Sequence, residues 1–418
     1  MLRPAMVYPV GSFRRTALAC LLVHVDSCAM SLAVVNIGSS HQGDLQGTAL
    51  AGDALVCDGG RITWIGSTAD VQRSAHTDLV DAAGAGVIPG FIDSHVHVTF
   101  GDYTPRQQTV GFLESYLHGG MTTAISASEV HVPGRPTDVT GVKALAIAAQ
   151  RCFAEYRPGG VRVHGGSVIL EPGLTAEDFR ELREAGVWLA KAGFGAFPDA
   201  LAYAPVVQSA RRAGLVVMCH TGGGSIPGSL GRIDAEALLA MRPNICGHAN
   251  GGPTALSDAD NERLVVEGGE MALQLVQAGN LRSAIDLVRR AHHHGQQHRL
   301  LIASDTPTGT GVIPLAILRS MAELVSLAGM TPDLAVAAAT GNVAAAYGLD
   351  AGRLTVGAPA DLLVVDAPVG SQAVDWRDAL GRGDLPAVGV AVTDGVVRFR
   401  RSRNTPPPAR PVAVNAAG

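Results

Sequence analysis

From Gly86 to about Tyr347, short apolar runs ending in Gly, Ser, His or Asp alternate with longer helical stretches. A strand followed by a helix, repeated many times, packs stably as parallel strands with helices laid over them. Eight runs fit the strand positions: Val87–His97, Thr122–Ser126, Val161–Gly165, Val187–Lys191, Leu215–His220, Ile245–His248, Met271–Val276 and Leu300–Ser304. Eight such strands close a barrel. The predicted helices between them include Lys143–Tyr156, Ala176–Ala185, Ala200–Ala213 and Leu281–His294. The expected fold class is α/β, a distorted (β/α)8 TIM-like barrel over residues 89–347.

The flanks read differently. Between Met30 and Pro89 the pattern is short β segments and turns. Ala54–Cys57 and Arg61–Gly66 flank Asp58-Gly59-Gly60, a hairpin signal. After Tyr347 the pattern returns, with Asp361–Asp366 and with Val388–Phe399, the latter broken by Asp394-Gly395. Residues 30–88 and 348–403 are predicted to form one small β-sandwich domain built from both ends of the chain. The Pro- and Ala-rich segment 404–418 is expected to be a loose tail. In residues 1–29, Arg14 and Arg15 precede an apolar run, Ala17–Val25, that His24 interrupts. This imitates a signal peptide only weakly. The preferred reading is an N-terminal extension from a start assigned too early, with Met30 as the true start.

The hydrophobic fraction is 47% and the charged fraction 17%, which favours a large buried core or mutually covering subunits over disorder. The net charge is −5 and no basic tract stands out, so nucleic acid is not an expected partner. No apolar run reaches the roughly 18 residues needed to span a bilayer, so no membrane partner is expected either. Six cysteines lie apart, without a CxxC pair, and read as reduced thiols of a cytoplasmic protein.

The chemistry concentrates at predicted strand ends. Phe91-Ile-Asp-Ser-His95-Val-His97 delivers two histidines at i and i+2, which alternation places on one side of the strand. His220, His248 and Asp305 each close an apolar run, on the face where barrel enzymes keep their active sites. Cys219 is adjacent to His220, but alternation turns it away from the mouth. His95, His97, His220, His248 and Asp305 are therefore candidate metal ligands. Lys191 closes another run. A buried ammonium is costly there, and capture of CO₂ would convert it to a carbamate able to bridge two cations. In this reading two divalent ions activate a bridging water, one ion polarises a scissile carbonyl, and Asp305 carries the proton to the leaving nitrogen. Neutral imidazoles suit zinc or ferrous iron.

This constellation resembles the binuclear amidohydrolase superfamily. The match places His95 and His97 on the first strand, Lys191 on the fourth, His220 on the fifth, His248 on the sixth and Asp305 on the eighth. Gly352–Asp366 looks like that family's return into its β domain. Within the superfamily the segments Gly101–Gln107, His131–Pro136, His164–Leu170, His220–Gly228, His248–Thr254 and Asp305–Gly311 are similar to the enamidases. That resemblance implies hydrolysis of a cyclic amide with an enamine-type C–N bond, such as 6-oxo-tetrahydronicotinate. It also implies zinc most of all, iron at one of two sites, and a homotetramer. It further implies a glutamate at the bridging position. Ala190-Lys191-Ala192 carries no acid, and Lys191 looks instead like the carbamylated lysine of the wider superfamily. Arg106, His131 and His164 are candidate substrate contacts, Arg106 as a bidentate partner for a carboxylate. The alternatives are another cyclic amidohydrolase, acting on a hydantoin, dihydropyrimidine, lactam or imidazolone ring, and a non-catalytic scaffold.

Overall fold

A computed structural model describes residues 31–98, 112–129, 134–155, 157–223, 231–252, 254–307 and 311–416. The extension 1–29, Arg106 and His131 lie outside the described residues.

Two five-stranded sheets draw strands from both ends of the chain. One runs, in spatial order, Ala413–Ala416, Asp78–Asp81, Leu32–Val35, Ala54–Asp58 and Arg61–Gly66. The other runs Val396–Phe399, Ala387–Thr393, Leu362–Asp366, Gly86–Pro89 and Ser39–Ser40. Both predicted hairpins form. Gly59 and Gly60 have φ of 56° and 79°, and Asp394 and Gly395 have φ of 49° and 72°. Positive φ at both central residues suits the twist of a two-residue hairpin. Alternate residues of the two sheets, among them Leu32, Val34, Leu55, Leu362, Val364, Val390 and Val392, share one apolar core. Leu363, Val365, Val388 and Ala391 face the other way, into the core shared with the barrel. Burial on both faces explains why Leu362–Val365 reads as a continuous apolar run rather than an alternating one.

The segment expected to be loose is partly ordered as a strand. Ala413–Ala416 pairs antiparallel with Asp78–Asp81, so the first sheet gains its edge from the C-terminal end.

Among the described residues, nine strands fill the eight positions of the barrel, Arg162–His164 and Ser167–Ile169 sharing the third. Three of them, Phe91–Val96, Met121–Ser126 and Arg162–His164, make one parallel sheet. Ser167–Ile169, Leu189–Ala192, Val216–His220, Ile245–Gly247, Ala272–Val276 and Leu300–Ala303 make the other. The two sheets meet at the eighth and first strands, where Asp305 N–H donates to His95 O at 2.9 Å and His97 N–H to Thr306 O at 3.0 Å. Ile92, Ile125, Leu189, Met218, Ile245, Ala272 and Leu301 fill the interior, with Val343, Ala344 and Tyr347 of helix Gly341–Tyr347 packed beneath them. Cys219 joins the layer between strands and helices, as alternation requires.

Two strand predictions need correction. The run Val87–His97 is two strands, not one. It breaks at Gly90, where a Cβ would lie 2.2 Å from the Thr122 side chain, so Gly86–Pro89 serves the second β sheet and Phe91–Val96 the barrel. The third barrel strand does not end at Gly165. It bends at Gly165-Gly166, the latter with φ of 89°, and resumes as Ser167–Ile169.

Candidate metal centre at the barrel mouth

Parallel ladders fix the register within each barrel sheet, and the backbone bonds between Asp305 and His95 and between His97 and Thr306 join the eighth strand to the first, which brings their C-terminal ends together. His95 lies 5.4 Å from His97 and 5.3 Å from His248, ring centre to ring centre. His220 lies 4.5 Å from His248 by the same measure, and His220 Nδ1 is 2.8 Å from His248 Nε2. Asp305 Oδ1 is 3.3 Å from His95 Nε2 and 3.0 Å from His97 Nε2. One ligand atom each from His95, His248 and Asp305 lies within 4.8 Å of the others. Lys191 completes the ring. It is 1% exposed, its Nζ sits 5.9 Å from the Phe194 ring centre, and Phe194 packs edge-on to His220 at 4.9 Å. The six predicted ligands are thus gathered in one cluster.

The backbone is strained where it delivers two of them. His248 has φ of 36° and Asp305 of 58°, a region that costs non-glycine residues roughly 1–3 kcal/mol. Around Asp305 the restraint is visible. Ser304 Oγ donates to His95 O, Thr306 bonds to Ser304 Oγ through both N–H and Oγ1, and Tyr116 OH bonds Thr306 Oγ1. Asp93 Oδ1 accepts from the Ser304 and His95 amides, joining the first strand to the eighth. Burial pushes the Asp93 carboxyl up to about 6.

Burial and positive neighbours set the charge state. His95 and His248 are held well below the usual histidine range, first by desolvation and then by Lys191 or a neighbouring histidine. His220 falls to about 3 for the same reasons. Neutral imidazole is the form that binds a metal ion. Desolvation brings Lys191 down to about 8, opposed by the Asp305 charge. Its Nζ donates to Met218 Sδ at 3.4 Å, a weak acceptor.

These residues fit a divalent cation pair. His220 Nε2 is buried without a hydrogen-bond partner among the described residues, a cost of roughly 1–3 kcal/mol that a metal ion would remove. Imidazole nitrogens with one carboxylate are a softer donor set than the all-oxygen sets that magnesium and calcium take.

His164 is not brought into the cluster. Because the third strand continues past Gly166, His164 sits within the strand instead of at its mouth end. Its ring meets Trp188 edge-on at 5.3 Å, and it lines a cleft of about 430 Å³ with Arg61, Arg162, Asp350 and Asp394. Desolvation, with Arg162 and Arg157, lowers it to about 4.

One buried residue was passed over in the sequence. Gln274 lies in the centre of strand Ala272–Val276 and is fully buried. Its Oε1 is 2.6 Å from His95 Nδ1. The available signal was a single amide inside the apolar run Ala-Leu-Gln-Leu-Val.

A closed parallel barrel with histidine, aspartate and lysine gathered at its C-terminal rim defines a class of barrel hydrolases. The model of the Amidohydrolase family matches residues 87–397. The enamidase of Eubacterium barkeri is 44% identical over 383 residues, covering 91% of this chain and 99% of that protein. A crystal structure of enamidase superposes with a TM-score of 0.87 at 43% identity, covering 92% of this chain and all of that one. The imidazolonepropionase of Streptomyces griseus is 30% identical over 357 residues, covering 75% of this chain and 86% of that protein. The chain belongs to the amidohydrolase family.

Proposed function

We propose that this protein hydrolyses the C–N bond of a cyclic enamide, using two divalent cations held by His95, His97, Lys191, His220, His248 and Asp305. The observation that carries the reading is the convergence of all six side chains in one cluster, in a chain closely similar to an enamidase along almost its full length. Cations bound there would lower the pKa of water towards neutrality and polarise the ring carbonyl.

The chain's own residues supply the rest. His95 Nε2 and His97 Nε2 lie 3.3 Å and 3.0 Å from Asp305 Oδ1, so the three ligand atoms face one point. Asp305 is 18% exposed at its side chain, the one acid of the cluster open to an entering substrate. It takes a proton from the attacking water and passes it to the leaving nitrogen. Lys191, with an ammonium pKa brought down to about 8, has a neutral amine fraction whose nitrogen can add to the carbon of CO₂ and release one N–H proton to water, leaving an anionic carbamate. That step turns a buried amine into an anionic ligand. Arg106 and His131 stay in this reading as substrate contacts.

The metal reading extends to zinc at one or both positions, with ferrous iron at one. The assembly in this reading is a homo-oligomer, a tetramer by resemblance. The four described cysteines are all free, in keeping with a cytoplasmic setting. Among the described residues no helix is long and apolar enough to cross a membrane.

The test has two parts. Elemental analysis of protein purified without chelators is expected to give about two equivalents of zinc or iron per subunit. The holoenzyme should then open a six-membered enamide-lactam ring, followed as loss of ring absorbance, faster than imidazolone, hydantoin or dihydropyrimidine rings. Preference for an imidazolone would move the substrate class. Absence of metal, with no recovery on adding it, would remove the hydrolase reading.

A further inference from the structure

Gln274 is the one fully buried side chain that touches the ligand cluster from the seventh strand, a strand the metal reading leaves without a role. Its amide orientation is fixed by two backbone groups. Oε1 lies 3.3 Å from His248 N–H, which can only donate. Nε2 lies 3.1 Å from Ser94 O, which can only accept, and 2.7 Å from Ser94 Oγ. A flipped amide would set donor against donor and acceptor against acceptor.

With Oε1 assigned as an acceptor, the 2.6 Å contact to His95 Nδ1 requires the proton on Nδ1. The Nε2 lone pair of His95 then faces Asp305 Oδ1 at 3.3 Å, acceptor against acceptor. Such a pair repels unless a cation lies between the two atoms. One amide thus sets the tautomer of the first-strand histidine and aims its lone pair at the carboxylate. The same oxygen restrains the backbone of His248, on the sixth strand, so first and sixth strands are registered through one side chain.

We infer that Gln274 is a positioning residue that fixes His95 in the form whose Nε2 can bind a cation shared with Asp305. This inference rests on the metal-hydrolase reading above. The usual partner of a metal-bound histidine is a carboxylate or a carbonyl. An amide does the same work here without adding a negative charge beside Asp93 and Asp305, and its NH₂ end satisfies Ser94 O, which a carboxylate could not.

The experiment compares the metal affinities of wild type, Q274M and Q274E by zinc competition with a chromophoric chelator, with circular dichroism on each. Met keeps the volume and removes the acceptor. Glu keeps the acceptor and removes the donors to Ser94. One of the two zinc equivalents is expected to bind roughly 10- to 100-fold more weakly in Q274M, while Q274E stays within a few-fold of wild type. Equal losses in both variants would mean that the tie to Ser94 matters and not the acceptor, and would overturn the inference, as would wild-type affinity in Q274M. If Q274M does not fold, Q274E decides alone: near-wild-type affinity supports the role and a tenfold loss overturns it. Wild-type protein that binds no divalent ion would instead sink the reading on which the inference rests.

Discussion

The ligand side chains separate into groups whose removal has different consequences. Asp305 touches both first-strand histidines and is the partly exposed acid of the cluster. Asp305→Asn keeps the shape and one ligand oxygen but cannot take up a proton. It should retain the fold and most metal while turnover falls roughly 100- to 10,000-fold, the usual contribution of a positioned base. Near-normal turnover in steady-state kinetics would remove the proton-transfer role. Lys191 is predicted to act through its carbamate, so Lys191→Ala should lose metal and recover part of it when a short carboxylate such as acetate or propionate is added. Unchanged metal content in that variant would exclude the bridge.

The elements explain how much was legible beforehand. His95 and His97 could be read as a pair because strand alternation is geometric, and His220, His248 and Asp305 because each closes an apolar run that only a barrel strand would bury. The break at Gly90 was not legible, since it falls where backbone pairing passes from Asp361 O to Gly120 O, both far away in the sequence. The bend at Gly165-Gly166 was not legible either, because a glycine pair ends a strand or bulges it with equal ease, and this misplaced His164. The C-terminal strand was hidden because its partner, Asp78–Asp81, lies at the far end of the chain. Gln274 was hidden because only its neighbours on two other strands give it a role. The turn after the fourth strand offers a test at this scale. Gly193 has φ of 107°, and a Cβ there would lie 2.5 Å from His220 Cβ. Gly193→Ala must therefore strain the turn and push His220 aside. A loss of about 1–3 kcal/mol in denaturant melts is expected, together with weaker zinc binding. A variant with unchanged melt and affinity would show that the turn does not set the position of His220.

At the scale of the whole molecule, the pattern of buried groups fixes how stability depends on pH. His41, His95, His118, His164, His220 and His248 are all lowered in the folded chain, each chiefly by desolvation. A histidine whose folded pKa lies below its unfolded value of about 6.5 takes up a proton on acidification in the unfolded state first. The unfolded chain then binds more protons, and stability falls as pH drops below about 6.5. For His164 and His220 the loss continues down to about 4 and about 3. Asp93, pushed up to about 6, and Asp361, also raised by burial, work the other way, gaining protons in the folded state as pH falls. Six lowered histidines outnumber two raised carboxylates. Each unbalanced proton is worth about 1.4 kcal/mol per pH unit. Calorimetry of the metal-free protein should therefore show Tm falling by several degrees per unit between pH 6.5 and 5. Saturating zinc should raise Tm at pH 7, because the ion binds the folded ligand set alone, and should raise it less at pH 5, where protons compete for the same nitrogens. A metal-free Tm that is flat or rising through that window would mean that the histidines at the barrel mouth are charged in the folded chain, and neutral imidazole could not then be the resting form of the site.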